Sequence, residues 1–313
     1  MMSLKDRYIG SMIGLAVGDA MGVAVEFRPP GTFEPVREMT GGGVFRLKPG
    51  EWTDDTSMAI CLAESLIACR GFSPKDQMDR YVRWYKEGYN SSTGQCFDIG
   101  NTVRDALERY LETGQPFSGS EHPDSAGNGS LMRLAPAALF YAENPDEAIR
   151  FCGLSSATTH GAMEAIDACK LMGALIIGCL RNVGKADLLK LRFLDAMDIF
   201  CPVFSPSIVD IMEGSYRRKQ PPEIRASGYV ARSLEAALWA FSETDTFEEG
   251  LLKAVNLGDD ADTVGAIYGQ LAGAYYGIQG IPARWVEPLA FRDKLFDLAE
   301  GLYLHRERAQ LAQ

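Results

Sequence analysis

Two stretches of this chain concentrate oxygen donors just ahead of apolar, helix-forming runs: Thr53-Asp54-Asp55-Thr56 and Gly258-Asp259-Asp260-Ala261-Asp262-Thr263. Read alone, the first is an N-cap. Thr and Asp side chains accept hydrogen bonds from the free N–H groups of a first helical turn, and their charge suits the positive end of the dipole. The second resists that reading. Asp259, Asp260 and Asp262 repel one another unless a cation or solvent screens them, and only one can cap. Carboxylate and hydroxyl oxygens are the hard ligands that Mg²⁺, Mn²⁺ and Ca²⁺ prefer. Two such clusters, far apart in the chain, suit a binuclear site to which each segment contributes ligands. With 3 histidines and neither HExxH nor CxxC, a zinc site is poorly supported.

Three further segments carry polar side chains at breaks between apolar runs. Ser125-Ala126-Gly127-Asn128-Gly129-Ser130-Leu131-Met132-Arg133 is a Gly-rich turn whose free N–H groups suit a phosphate. It lacks the P-loop Lys, and by itself it reads better as a plain turn into a helix. Phe97-Asp98-Ile99-Gly100-Asn101 places one acid ahead of a helix, which alone is another cap. Thr158-Thr159-His160-Gly161 places a histidine at a helix start, where the residue is structural or meets a ligand.

Helices must position these segments, because alternating strand patterns are scarce. Apolar periodicity supports helices over 3–20, 54–70, 74–87, 101–112, 129–141, 145–156, 161–181, 186–199, 205–213, 229–241, 246–256, 261–277 and 286–304. The Pro and Gly clusters between them are too short for interdomain linkers, so residues 1–313 read as one all-α domain. Gly10, Gly14, Gly18 and Gly22 recur every fourth residue, as do Gly265, Gly269, Gly273 and Gly277. That spacing puts each set along one face of a helix. Glycine inside a helix costs about 1 kcal/mol relative to alanine, and close approach of two backbones is the usual compensation. Both helices are expected at the centre of the fold, and the second begins at the Asp cluster.

Composition narrows the function. The formal charge of −11 repels nucleic acid, and Tyr216-Arg217-Arg218-Lys219, the only basic run, reads as a solvated loop. The cysteines at 61, 69, 96, 152, 169, 179 and 201 are odd in number and sit mostly in apolar stretches. They suit small core residues in a reducing cytoplasm. Neither a secretion signal nor an apolar run of membrane-spanning length is visible, so a cytoplasmic location is expected.

Taken together and in order, these pieces resemble the ADP-ribosylglycohydrolase family. The matching segments are Gly14-Leu15-Ala16-Val17-Gly18-Asp19-Ala20 with Glu26-Phe27, then Trp52 to Thr56, Phe97 to Gly100 and Gly127 to Arg133. Thr159-His160-Gly161, Ser227-Gly228-Tyr229-Val230 and Gly258 to Thr263 complete the set, which spans nearly the whole chain. The Phe-Asp-Ile-Gly form, with Thr93-Gly94 before it, is most similar to the bacterial branch that acts on ADP-ribosyl-arginine, typified by the dinitrogenase-reductase-activating glycohydrolase.

The resemblance implies a compact, orthogonal all-α fold with two Mg²⁺ or Mn²⁺ ions in a central cleft. Thr53, Asp54, Asp55, Asp260, Asp262 and Thr263 would be the ligands. Asp98 would act as general acid or base, with Glu26 at the cleft mouth orienting substrate or water. Backbone amides of Gly127, Asn128, Gly129 and Ser130 would take the diphosphate, with His160 near it, and Tyr229 would stack on or bond the ribose or adenine side. Asp259 departs from the pattern, because many members have Gly there; it is expected beside the ligands. The implied partners are an ADP-ribosylated protein and the product ADP-ribose. Hydrolysis of O-linked ADP-ribose (from serine, or from O-acetyl-ADP-ribose) and a non-catalytic binding or structural role are the alternatives. Loss of ligand residues would mark the last, and all six positions are present.

Overall fold

The computed structural model describes residues 2–191 and 204–311. Its helices are α1 (Leu4–Gly22), α2 (Asp54–Cys69), α3 (Pro74–Glu87), α4 (Asn101–Thr113), α5 (Ala135–Phe140), α6 (Pro145–Ala157) and α7 (Met163–Leu180). They continue with α8 (Lys185–Leu189), α9 (Pro206–Met212), α10 (Val230–Ser242), α11 (Phe247–Val255), α12 (Ala261–Tyr276), α13 (Ala283–Val286) and α14 (Arg292–Leu311). Among the described residues there is no sheet, only isolated bridges such as Gly127 with Tyr229. No described helix is long and apolar enough to cross a membrane.

The two glycine-striped helices, α1 and α12, form the centre, with α2, α7, α10, α11 and α14 packed around them. They run antiparallel and nearly touch backbone to backbone. A Cβ on Gly10 would strike the Gly273 carbonyl, one on Gly14 that of Gly269, and one on Gly18 that of Gly265. Gly22 meets the backbone of Asp262 at the start of α12, so three glycine pairs and this fourth contact hold the register. Gly277, at φ +68°, ends α12 at the same point of the seam: a Cβ on Gly10 would also strike its backbone, and its own would meet Met2. The seam is closed by polar ties. Ser11 donates to the Gln270 carbonyl (2.9 Å), and buried Arg7 donates to the Ala274 and Tyr275 carbonyls at the end of α12.

Two expected helices differ. Over 129–141, residues 128–134 form successive turns and α5 begins only at Ala135. The Arg133 side chain occupies the Gly129 carbonyl that a continuing helix would offer to residue 133's amide. Over 286–304, Pro288 interrupts the pattern: α13 ends at Val286 and α14 begins at Arg292. Of the helix expected at 186–199, α8 forms the start; its remainder, like Cys201, lies outside the described residues. The basic run is partly packed: Tyr216 is buried, and Lys219 pairs with the buried Glu235 at 2.7 Å. Among the described residues the cysteines are free thiols; Cys61, Cys152, Cys169 and Cys179 are buried, Cys96 is half-buried and Cys69 is exposed.

Candidate active site

The α1–α12 seam delivers one acid from each helix to the same point. Asp19, fully buried one residue past Gly18, accepts four hydrogen bonds from the start of α2: the Thr53 amide (2.9 Å) and hydroxyl (2.9 Å), and the Thr56 amide (3.0 Å) and hydroxyl (2.6 Å). The cap of α2 therefore comes from another helix. Thr53 occupies the N-cap position but makes no side-chain cap bond, and Asp54 and Asp55 are released from capping.

Asp55 and Asp262, from opposite ends of the chain, meet beneath a shared hydroxyl. Thr53 Oγ1 lies 3.1 Å from Asp55 Oδ2 and 3.3 Å from Asp262 Oδ2, and Thr263 Oγ1 lies 3.4 Å from Asp55 Oδ2. Carboxylate oxygens of Asp19, Asp55 and Asp262 fall within 4.8 Å of one another, as do those of Glu26, Asp98 and Asp262. Asp55 Oδ1, Asp262 Oδ1 and Glu26 Oε2 are buried with no hydrogen-bond partner. Burial, then the charges of neighbouring Asp19 and Asp262, holds Asp55 well above the usual carboxylate range. Burial and Glu26 do the same to Asp262, and burial with Asp98 to Asp54. An all-oxygen donor set that is buried, crowded and partly unpartnered fits hard divalent cations, whose charge offsets both the repulsion and the lost hydration. Asp54 and Asp260 line the cleft above this floor. Asn128 Nδ2 holds Asp260 at 2.6 Å and also reaches Ser233 of α10, so the glycine turn and the Asp motif are tied together.

Glu26 and Asp98 form a second carboxyl pair. Burial and the adjacent Asp98 push Glu26 far up; burial pushes Asp98 up less. At neutral pH such a pair holds a shared proton. Glu26 lies deeper than a mouth position: it is 2 % exposed, and the exposed ring of Phe27 stands at the rim. Asp98 does not cap α4, whose N-cap is Gly100; its backbone is left-handed (φ +58°), and its carboxyl faces Glu26. Asp259 is likewise left-handed, at φ +48°. Its amide donates to the Arg28 carbonyl (2.8 Å), and its carbonyl accepts from the Phe27 amide (2.7 Å). This reciprocal pair locks the Glu26 loop to the Asp motif. It also explains the glycine common in the family, because Gly and, less freely, Asp adopt this conformation.

The cleft encloses about 810 Å³ and runs from the acids to the glycine turn. Within the turn, the Gly127 and Asn128 amides are already bonded, to the Ser125 and Gly228 carbonyls. The amides of Gly129 and Ser130 are the ones left for a ligand, two rather than the four expected. The Ser130 side chain points into the core, against Ser156 (2.8 Å). His160 lines the cleft beneath the turn; burial and nearby Arg133 push its imidazole down to about 3, so it is neutral. Tyr229 is exposed at the N-cap of α10 with its hydroxyl on Glu164 (2.8 Å); the cleft is lined by its neighbours Ser227 and Gly228 and not by Tyr229 itself.

Sequence reasoning assigned no role to Asp19, although an acid inside the otherwise apolar run Leu15 to Met21 was the available signal. Nor did it find Arg225 and Arg232, two exposed cations lining the cleft of an acidic protein. Both are isolated in sequence and carry no motif.

Comparison with known proteins follows the same lines. The family described as ADP-ribosylglycohydrolase matches residues 1–312. "ADP-ribosylarginine hydrolase Tri1" of Serratia proteamaculans (strain 568) is 42 % identical over 95 % of this chain and 79 % of its own length. "ADP-ribosyl-[dinitrogen reductase] glycohydrolase" of Rhodospirillum rubrum is 34 % identical over 92 % of this chain and 91 % of its own. A solved structure titled "ADP-ribosylglycohydrolase-related protein complex" superposes with a TM-score of 0.86 at 48 % identity, covering 97 % of this chain and 99 % of that one. With the acid motifs, the glycine turn and the helical frame all accounted for along its length, the chain belongs to the ADP-ribosylglycohydrolase family.

Proposed function

We propose that this protein hydrolyses the N-glycosidic bond between ADP-ribose and an arginine side chain, with two divalent cations, Mg²⁺ or Mn²⁺, held by Thr53, Asp54, Asp55, Asp260, Asp262 and Thr263. The observation that carries the reading is the pair of buried, unpartnered oxygens of Asp55 and Asp262 at the floor of a cleft that ends in a free-amide turn. Two relatives whose names specify ADP-ribosyl-arginine or ADP-ribosyl-dinitrogen-reductase hydrolysis support the substrate class. When bound, the cations supply positive charge that binds ribose hydroxyls and polarises the bond to be cleaved.

The remaining work falls to side chains. Asp98 takes a proton from the attacking water as its oxygen bonds to the anomeric carbon and the carbon–nitrogen bond breaks. The departing guanidine nitrogen takes the proton that Glu26 holds against Asp98, and the proton that Asp98 takes from water restores the one the pair shares. Gly129 and Ser130 amides, with Arg225 and Arg232, take the diphosphate. The adenine side, reaching past the cleft edge at Gly228, meets the exposed Tyr229 ring, which binds the part of the substrate remote from the reaction and orients the reacting end.

Peptides carrying ADP-ribosyl-arginine or ADP-ribosyl-serine, incubated with Mn²⁺, Mg²⁺ or a chelator, test this by chromatography of released ADP-ribose. Cation-dependent release from the arginine peptide is expected. Release from the serine peptide alone would overturn the N-glycosidic assignment, undiminished release in chelator would overturn the metal requirement, and no release from either would leave the non-catalytic reading.

A further inference from the structure

We infer that Arg133 is a positioning residue for the diphosphate end of the cleft: its buried guanidinium aims the Ser130 amide outward and fixes His160 as the tautomer with its proton on Nε2. The inference rests on the function proposed above and adds a residue that never touches the ligand.

Arg133 is fully buried, yet among the described residues no carboxylate lies within ion-pair distance of it. Its partners are the Gly129 carbonyl (3.1 Å from Nη1), the Thr159 hydroxyl (2.7 Å from Nη2), the Met58 sulfur (3.6 Å) and the face of Tyr81 (4.5 Å); its Nε has none. A buried charge without a counter-ion is expensive, and a tie between core elements needs no charge. A cation beneath a turn that receives an anion does.

Two geometric consequences follow. In a trans peptide the C=O and the next N–H point in opposite directions. Arg133 draws the Gly129 carbonyl inward, so the Ser130 N–H points away from the core, on the side where Gly129 lines the cleft. Secondly, Thr159 Oγ1 accepts from Arg133 and lies 2.9 Å from His160 Nδ1. Arg133 takes one of the hydroxyl's two lone pairs, and Nδ1 is the one acceptor within reach of its hydrogen among the described residues, so the hydroxyl donates to Nδ1. The single proton of the neutral imidazole then sits on Nε2, beside Gly127 and facing the cleft. The ring packs so closely that a Cβ on Gly129 would come within 2.9 Å of it, so the turn and the histidine form one preorganised surface. One buried cation thus orients two neutral donors toward an anion such as a diphosphate.

The test uses Arg133→Met and Thr159→Val. ¹⁵N-histidine NMR of the full chain should show His160 as the Nε2–H tautomer, with the Nδ1–H form appearing in Thr159→Val. Calorimetry should show ADP-ribose binding weakened about ten- to a hundredfold in Arg133→Met, the range for loss of charge-assisted bonds, with Mn²⁺ affinity unchanged. KM for an ADP-ribosyl-arginine peptide should rise more than kcat falls. If ADP-ribose affinity is unchanged in both variants, or falls together with Mn²⁺ affinity, Arg133 is only a tie in the core and the inference fails. Should Arg133→Met not fold, Thr159→Val carries the test through tautomer and affinity together. If the wild-type protein itself does not bind ADP-ribose, the proposed function fails, and an Nδ1–H tautomer in that protein would separately overturn the link to His160.

Discussion

Residues only two or three positions apart do different work here, and the difference is environmental. Asp54 and Asp55 share a first helical turn, yet neither caps it, because Asp19 supplies that function from α1. Asp98 sits in a left-handed turn that turns its carboxyl to Glu26 and away from α4. Asp98→Asn should therefore slow turnover about 10²–10⁴-fold, the usual range for loss of a general acid or base, while calorimetry shows Mn²⁺ and ADP-ribose affinities nearly unchanged. Abolished metal binding would make it a ligand, and wild-type turnover would leave the proton to Glu26. Asp259 invites a simpler experiment. Its conformation, at φ +48°, suits glycine, so Asp259→Gly should stay within about 1 kcal/mol of the parent in urea unfolding. Asp259→Val, β-branched and forced into the same backbone, should lose more than that. Equal losses in both would mean that the carboxylate, and not the backbone, is what the position requires.

At the scale of elements, α1 and α12 act as a ruler. Their glycines bring the two backbones together at Gly10–Gly273, Gly14–Gly269 and Gly18–Gly265, and the ruler ends where Gly22 meets Asp262. Distance along the seam therefore sets the separation of Asp19 from Asp262. Gly269→Ala places a methyl against the Gly14 carbonyl and should destabilise the protein by about 1–3 kcal/mol through overpacking. It should also weaken Mn²⁺ binding, although Gly269 contacts no proposed ligand. Urea unfolding and metal titration on the same variant check both effects. An unchanged midpoint would show that the helices can part without loss.

Across the whole molecule, the proposed metal centre would couple stability to cation binding. Asp55 and Asp262 keep their protons to higher pH in the fold than in the unfolded chain. Folded protein then binds more protons than unfolded protein above the ordinary carboxylate pKa of about 4, so metal-free stability should fall as pH rises from there. Cations bound at the proposed centre would replace those protons and should reverse the fall, by about 2.7 kcal/mol at a hundred times Kd. Asp262→Asn removes one of the repelling charges. Its metal-free form should melt above the wild-type metal-free protein at pH 7.5, and the rise on adding Mn²⁺ should shrink. Thermal melts with chelator and with Mn²⁺ measure both. A variant that is less stable without metal and equally responsive to it would place Asp262 outside the metal centre.

The sequence by itself determined the helical class, the two central glycine-striped helices and both acid motifs, because each is a local pattern. Fourfold glycine spacing has few uses other than close packing, and crowded carboxylates at a helix start exceed what a cap needs. It was also enough to resemble one family along nearly the whole chain, and the family match bears that out. What only the tertiary structure decided depends on contacts between distant segments. Asp19 became the cap of α2 because the α1–α12 seam ends beside it. The helix expected over 129–141 gave way to turns because Arg133 takes the Gly129 carbonyl, an interaction no propensity contains. Glu26 went to the interior because its loop pairs with Asp259, more than two hundred residues later. Periodicity records which face of an element is buried; it does not record which side chain from elsewhere will satisfy the polar groups that burial strands.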